Sequence, residues 1–508
     1  MFENQPKGLW TLALANTGER FGYYTMLAVF ALFLGENFGF SSNAASTIYA
    51  TFLALVYFLP LFGGMAADKW GYNKMVIIGI SIMFLGYLFL SIPLGGGTVA
   101  IVAMGAALLL VSLGTGFFKG NLQVMVGDLY NEARYSSQRD SGFSLFYMAI
   151  NIGALFAPTA ATTIMAWAQN SLGFSKADSY HFAFAVACVS VIVSIIIYFL
   201  GRPTYKHVIA PVSKDKRNED AKEYFKDQNV EEPNDTKERI VCLCLVFAVV
   251  IFFWMAFHQN GLTLTWFANE FTATSATGAT GMAFNVMNLV WCIFIMFGLC
   301  GLITVEKRTA KNTITNLLLI AVPAAILGYT YATSASESVT ISAPIFQQFN
   351  PCFVVALTPV SIALFSWLGK KGKEPKAPVK IGLGMLVAAV AYVWLTWSCL
   401  GLPTPNQPQH MADMDPNILI RTYLILTFAE LLLSPIGISF VSKVAPTKYK
   451  GMMMGGWFVA TAIGNFLVAI PGLMWGKPLP VVWGALAGIC LVAALFIFSI
   501  IKKLNKVS

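Results

Sequence analysis

Five ionisable side chains of this 508-residue chain stand inside long apolar stretches: Glu19, Arg20, Lys119, His258 and Glu430. A charge in such surroundings is expensive, and where it is kept it usually faces a polar interior and does something there. A guanidinium can hold a carboxylate through two parallel hydrogen bonds, and a carboxylate in a dry site can hold an ammonium. Two cations beside two carboxylates therefore suit a ligand charged at both ends. The histidine ordinarily titrates near neutrality, which makes it, with Glu19 and Glu430, a candidate to carry a proton. One such residue alone could serve a structural pair. Five of them, spread over both halves, predict a polar central cavity.

The elements that position them follow from composition. Hydrophobic residues make up 57% of the chain and charged ones 11%. A soluble chain of this size carries charge at about 25% of its positions. Apolar runs of about 20 residues recur from end to end, long enough to cross a bilayer, and within lipid they must be helices because their backbone groups have no other partners. The first run is long and contains Glu19 and Arg20, so it reads as a mature helix rather than a cleavable leader. The net charge of +9 lies in loops between runs, which argues against nucleic acid. The eight cysteines lie mostly within apolar runs without zinc or redox spacing, so neither metal nor cofactor is expected. No HExxH, Walker A loop or paired catalytic aspartates are found, and a membrane enzyme is not the expectation.

Fourteen spans are predicted. Six lie at 9–34, 46–66, 75–94, 98–126, 142–168 and 180–200. Eight more lie at 239–268, 282–303, 312–333, 341–368, 381–402, 419–443, 452–473 and 482–501. Short loops on one side hold Lys69, Lys74, Arg134, Arg139, Lys307, Arg308, Lys311, Lys370, Lys371, Lys373, Lys443, Lys448, Lys502 and Lys503. The opposite loops hold almost none, Lys176 and Lys477 excepted. This bias predicts that both termini face the cytoplasm. The charged stretch 201–238 reads as a cytoplasmic linker between a bundle at 1–200 and a second one. The halves echo each other: GTGFFKGNLQ before FYMAINIGALFAP, and AELLLSPIGI before WFVATAIGNFLVA, placing Lys119 and Glu430 in corresponding positions. Such repeats build a site at the bundle interface and favour alternating access over a channel.

At these residues the chain resembles the proton-dependent oligopeptide transporter (POT/PTR) family of the major facilitator superfamily, as an atypical bacterial member. GGMAADKWGYNK at 63–74 is similar to the superfamily's loop between its second and third helices. FSLFYMAINIGALF at 143–156 resembles the family's fifth-helix signature, and ERFGYY, GTGFFKGN, QQFNP and AELLLSP complete the match. The resemblance implies two six-helix bundles plus one extra helix pair. It implies that Arg20, Lys119 and Asn151 hold the carboxyl end and backbone of a di- or tripeptide, and that Glu430 and Asn350 hold its amino terminus. Tyr23, Tyr24, Tyr57, Trp254, Trp457 and Phe458 would line side-chain pockets; aromatic walls accept varied side chains while fixed charges read the two termini. The implied activity is proton-coupled peptide uptake across the cytoplasmic (inner) membrane, with protons as co-substrate and a monomer as the working unit. Another small substrate, or peptide transport with weak or absent coupling, is the alternative. Nitrate is disfavoured because Glu430 would repel an anion.

Three departures stand out. The family's first-helix pattern Glu-x-x-Glu-Arg reads here Asn16-Thr17-Gly18-Glu19-Arg20. The usual glutamate four residues after the seventh-helix tryptophan is His258, and the first-helix arginine that can pair with it is Leu27. The extra pair, 282–333, falls between the helix of Trp254 (239–268) and the remainder of the second bundle (341–508), whereas bacterial members usually carry it between the sixth and seventh bundle helices.

Overall fold

Each apolar run folds as a helix whose ends are set by local chemistry. In the computed structural model, residues 5–131, 133–136, 139–209, 236–304, 309–405, 410–446 and 449–507 are described. The first helix, Lys7–Phe38, ends at Gly39, whose φ of 65° lets its N–H turn back to the Gly35 carbonyl and the N–H of Phe40 to that of Leu34. Ser41 caps Ser42–Phe58, and Ser175 caps Lys176–Leu200, each through its side-chain oxygen. Between them lie Tyr72–Leu90, Thr98–Asp128 and Arg139–Leu172. The second half holds Thr236–Phe257, Val286–Thr304, Ala310–Ser334, Phe349–Lys370, Ala377–Ser398, Asn417–Val444, Lys450–Leu467 and Leu479–Ser499. Among the described residues, 13 helical spans are long and apolar enough to cross a bilayer. The Lys7–Phe38 helix, diluted by its own polar residues, adds a fourteenth by length, and fully buried Glu19 shows that it runs inside the bundle.

Two predicted spans are interrupted. The run at 46–66 breaks at Leu59, and Pro60 starts a new helix, Pro60–Trp70, because proline lacks the N–H that would continue the old one. The run at 239–268 tightens into a 3-10 turn at His258–Gly261 and resumes as Thr263–Phe271. The predicted span 381–402 lies instead at Ala377–Ser398, its start set by Pro378 in the first turn. Of the segment 201–238, Arg202–Tyr205 is helical and the helix from Thr236 has begun; residues 210–235 lie outside the described residues, as do Lys307, Arg308 and Lys448.

Small residues allow the helices to close up. A Cβ at Gly79 would meet the backbone of Gly114, so the third and fourth spans touch backbone to backbone. Along the first helix, Ser190 and Ser194 donate their hydroxyls to the carbonyls of Gly18 and Ala15. The extra pair is clasped at its base by an antiparallel two-stranded ribbon, Ser275 opposite Thr340 and Ala276 opposite Val339. The ribbon lets the seventh bundle helix lead to the eighth across an insertion. Val286–Thr304 packs on Phe349–Lys370, whereas in Ala310–Ser334 only Pro323 is buried, so the pair stands at the periphery.

The two halves meet at the lysine-poor end. There Gln347 donates through Nε2 to the Ala28 carbonyl and to Thr265 Oγ1, both at 3.0 Å. Thr159 donates to Gln348 Oε1 at 2.9 Å. Ser46 packs against Gly472 and Tyr49 against Gly261 so closely that a Cβ at either glycine would collide. Lys176, one of the few lysines at this end, pairs with Glu36 at 2.8 Å.

Candidate functional site

Adjacent residues on a helix point about 100° apart, yet Glu19 and Arg20 form a buried bidentate pair. Arg20 donates from Nε and Nη2 to the two carboxylate oxygens at 2.5 Å each. The guanidinium sits 4.7 Å from the Tyr23 ring centroid. Lys119, half-buried on the Thr98–Asp128 helix, places its Nζ 4.0 Å from the Tyr57 ring centroid and lies within electrostatic reach of Glu19 and Arg20. The first half therefore presents a wall of net positive charge with aromatic faces.

The second half supplies the opposing wall. Glu430, 7% exposed, accepts a hydrogen bond from Asn350 Nδ2 at 2.9 Å, and the same amide reaches Thr427 Oγ1 at 3.0 Å. Tyr147, on the first half, lies within electrostatic reach of Glu430 and beside Asn151. Tyr147 is 46% exposed although it reaches these groups in mid-bundle, so it borders a cavity. Tyr24 and Tyr57 lie within electrostatic reach of both Arg20 and Glu430. Cations and carboxylate thus face each other across an aromatic-lined space.

His258 occupies the first position of the 3-10 turn. Its Nδ1 meets Asn465 Oδ1 at 2.5 Å, its ring stacks on Trp254 at 5.0 Å between centroids, and Tyr57 stands 6.1 Å away. It is also within electrostatic reach of Lys119 on the other half. The turn leaves carbonyls without helical partners, and in lipid each must be satisfied. Tyr392 donates to the Ala256 carbonyl at 2.5 Å, while Tyr423 and Thr265 donate to that of Asn260 at 3.0 Å. The break is therefore a built feature.

Of the residues named from sequence, Glu19, Arg20, Tyr23, Tyr24, Tyr57, Lys119, Asn350 and Glu430 gather around this space, with His258 and Trp254 beside Tyr57. Asn151 donates to the Tyr147 carbonyl at 3.1 Å. Trp457 is 3% exposed, with its ring against Phe247 and Gly437, and it serves packing in this conformation; Phe458 beside it is half-buried. Sequence reasoning passed over Tyr147, Thr427 and Asn465. Tyr147 lies one helical turn before Asn151 inside the fifth-helix signature, a spacing that could have found it. Two buried ionisable residues at span ends were also missed. Glu270, fully buried, accepts from Trp475 Nε1 at 3.0 Å, and Lys380 pairs with Glu374 at 2.6 Å.

A family model described as the POT family matches residues 73–225 and 327–472, more than half of the chain. The unmatched stretch between them contains most of the extra helix pair. The di-/tripeptide transporter of Lactococcus lactis subsp. lactis (strain IL1403) is 26% identical over 534 residues, covering 99% of this chain and 96% of its own length. A solved mutant of the peptide transporter POT in complex with alafosfalin superposes with a TM-score of 0.73 at 22% identity, covering 100% of this chain and 96% of its own. A tetrameric structure of PepTSo2 gives a TM-score of 0.69 at 19% identity, covering 99% of each chain.

Proposed function

The chain belongs to the POT family, and on that premise we propose that it carries di- and tripeptides inward across the cytoplasmic membrane, together with protons, by alternating access. One observation carries the reading: Arg20 and Lys119 on one half face Glu430 and Asn350 on the other across an aromatic-lined cavity. A short peptide presents a carboxylate and an ammonium at opposite ends of a variable middle, and this cavity matches that charge order. The name of the Lactococcus relative, a di-/tripeptide transporter, supports the same cargo.

Both termini face the cytoplasm in this reading, since loops at their side hold most of the lysine and arginine. The contacts through Gln347 and Gln348 then close the outer end, and release is toward the cytoplasm. Each chain encloses its own pathway, so one chain is the transport unit. The proton travels on His258, Glu19 or Glu430. His258 stands where a span has unwound, between the Asn465 amide and the cation of Lys119, a position whose polarity changes as the halves rock. Uptake of labelled dialanine into proteoliposomes, with and without an imposed proton gradient, tests the proposal. Accumulation driven by an inward gradient is expected; no uptake under either condition would refute the cargo, and gradient-independent exchange would refute the coupling.

A further inference from the structure

A second cavity, of about 480 Å3, opens at the basic end of the second half, between the start of Ala377–Ser398 and the last turns of Asn417–Val444. On the latter helix its wall is Ile436, Ser439, Phe440 and Lys443, recurring at three- and four-residue spacing. Ser439 follows Glu430 by nine residues, or two and a half helical turns, so this wall is turned away from the central cavity. Gly437, between these positions, faces the Trp457 ring instead. The cavity is thus separate from the transport pathway.

Its charge is lopsided. Lys376, Lys380 and Lys443 line it against the single carboxylate of Glu374, a balance of three positive charges to one negative. Lys380 is 8% exposed, its Nζ 2.6 Å from Glu374 Oε1 and 3.9 Å from the Phe365 ring centroid. The side chains of Lys376 and Lys443 remain exposed, although Lys376 donates to the Asn505 carbonyl at 3.0 Å. No side chain caps the helix that starts here after Lys376, so its dipole adds to the positive field. Pro435, Ile436 and Phe440 make the rest of the wall apolar. A patch of lysines meant only for solvent needs neither a concave wall nor a buried member.

We propose that this cavity binds the phosphate-bearing headgroup of an anionic phospholipid. Lys376, Lys443 and Lys380 hold the phosphate, the Ser439 hydroxyl donates to one of its oxygens, and the apolar wall takes the glycerol and first acyl carbons. Basic pockets between helices at the membrane surface suit such headgroups. The bound lipid would fix the ends of two second-half helices at the membrane surface without entering the pathway.

Native mass spectrometry of the full chain tests this, titrating dioleoyl phosphatidylglycerol and, in parallel, dioleoyl phosphatidylcholine. Preferential retention of phosphatidylglycerol is expected. Lys376→Gln with Lys443→Gln should weaken that retention about thirtyfold, at about fivefold per lysine, and leave phosphatidylcholine unchanged. Lys7→Gln with Lys311→Gln removes equal charge from exposed sites elsewhere and should change nothing. Inorganic phosphate is the competitor that separates headgroup from free anion: phosphatidylglycerol that resists it supports the lipid assignment, and displacement by phosphate overturns it. Equal retention of both lipids, or full retention by the Lys376/Lys443 variant, also overturns the proposal.

Discussion

Glu430→Gln removes one charge from the cavity while leaving its shape. The carboxylate accepts from Asn350 Nδ2 at 2.9 Å, and a glutamine carbonyl can accept the same bond, so the local fold should survive. What is lost is the contact between a carboxylate that is 7% exposed and the ammonium of a bound peptide. A hydrogen bond to a charged group contributes about 1.5–3 kcal/mol, which corresponds to roughly 10- to 150-fold in affinity. Calorimetric titration of dialanine into the purified protein should show this loss, while the thermal unfolding midpoint stays within experimental scatter. Asn350→Ala frees the carboxylate it now orients, and the double variant should lose less than the sum of the two single losses, because both act on one contact. Amino-acetylated dialanine provides the matching change in the ligand: it should compete poorly for uptake by the native protein and should lose little further in Glu430→Gln. If acetylated and free dialanine compete equally, Glu430 does not read the amino terminus and the assignment of the two walls fails.

Four further outcomes are expected. Arg20→Lys keeps the charge but loses the planar fork that now grips both oxygens of Glu19, and Lys119→Ala removes a point charge; each should impair uptake, and full uptake by both would reduce these cations to helix packing. His258→Asn should abolish gradient-driven accumulation while peptide exchange survives, and accumulation with unchanged pH dependence would place the proton on a carboxylate. Gln347→Ala deletes the bonds to Ala28 and Thr265 at the closed end, each worth about 1 kcal/mol, so a cysteine reporter in the cavity should react faster with an impermeant thiol reagent from that side; an unaltered rate would show that packing alone holds the end shut. Replacing residues 278–334 by a short linker should leave peptide uptake intact, since the ribbon at 275–276 and 339–340 already joins the insertion's ends; loss of uptake in a folded protein would assign the pair a role in transport.

The spans, their class and the few costly charges could be read from the sequence because each is a local property. Lipid leaves a backbone no choice but the helix, and a lone charge in an apolar run stands out whatever surrounds it. Fifth-helix and first-helix motifs then ordered those charges into two walls. Proline and glycine marked some breaks, as Pro60 does, but nothing local announced the turn at His258–Gly261. That turn depends on hydroxyls from Tyr392 and Tyr423, more than a hundred residues away, which satisfy the carbonyls it exposes. The partners of the charges were equally hidden: Arg20 turned to its own neighbour, His258 to Asn465, and Glu430 to Asn350. Trp457 shared its motif context with Trp254, yet only packing put one ring behind Gly437 and the other against a histidine. Lys380 and Glu270 escaped notice because they sit at span ends, where an apolar run says nothing of whether a charge points to water or into a neighbour. The sequence by itself determined where the long apolar helices lie and which charges they carry. The tertiary structure decided which charge meets which, and which end is closed, because those contacts join residues that only folding brings within hydrogen-bond reach.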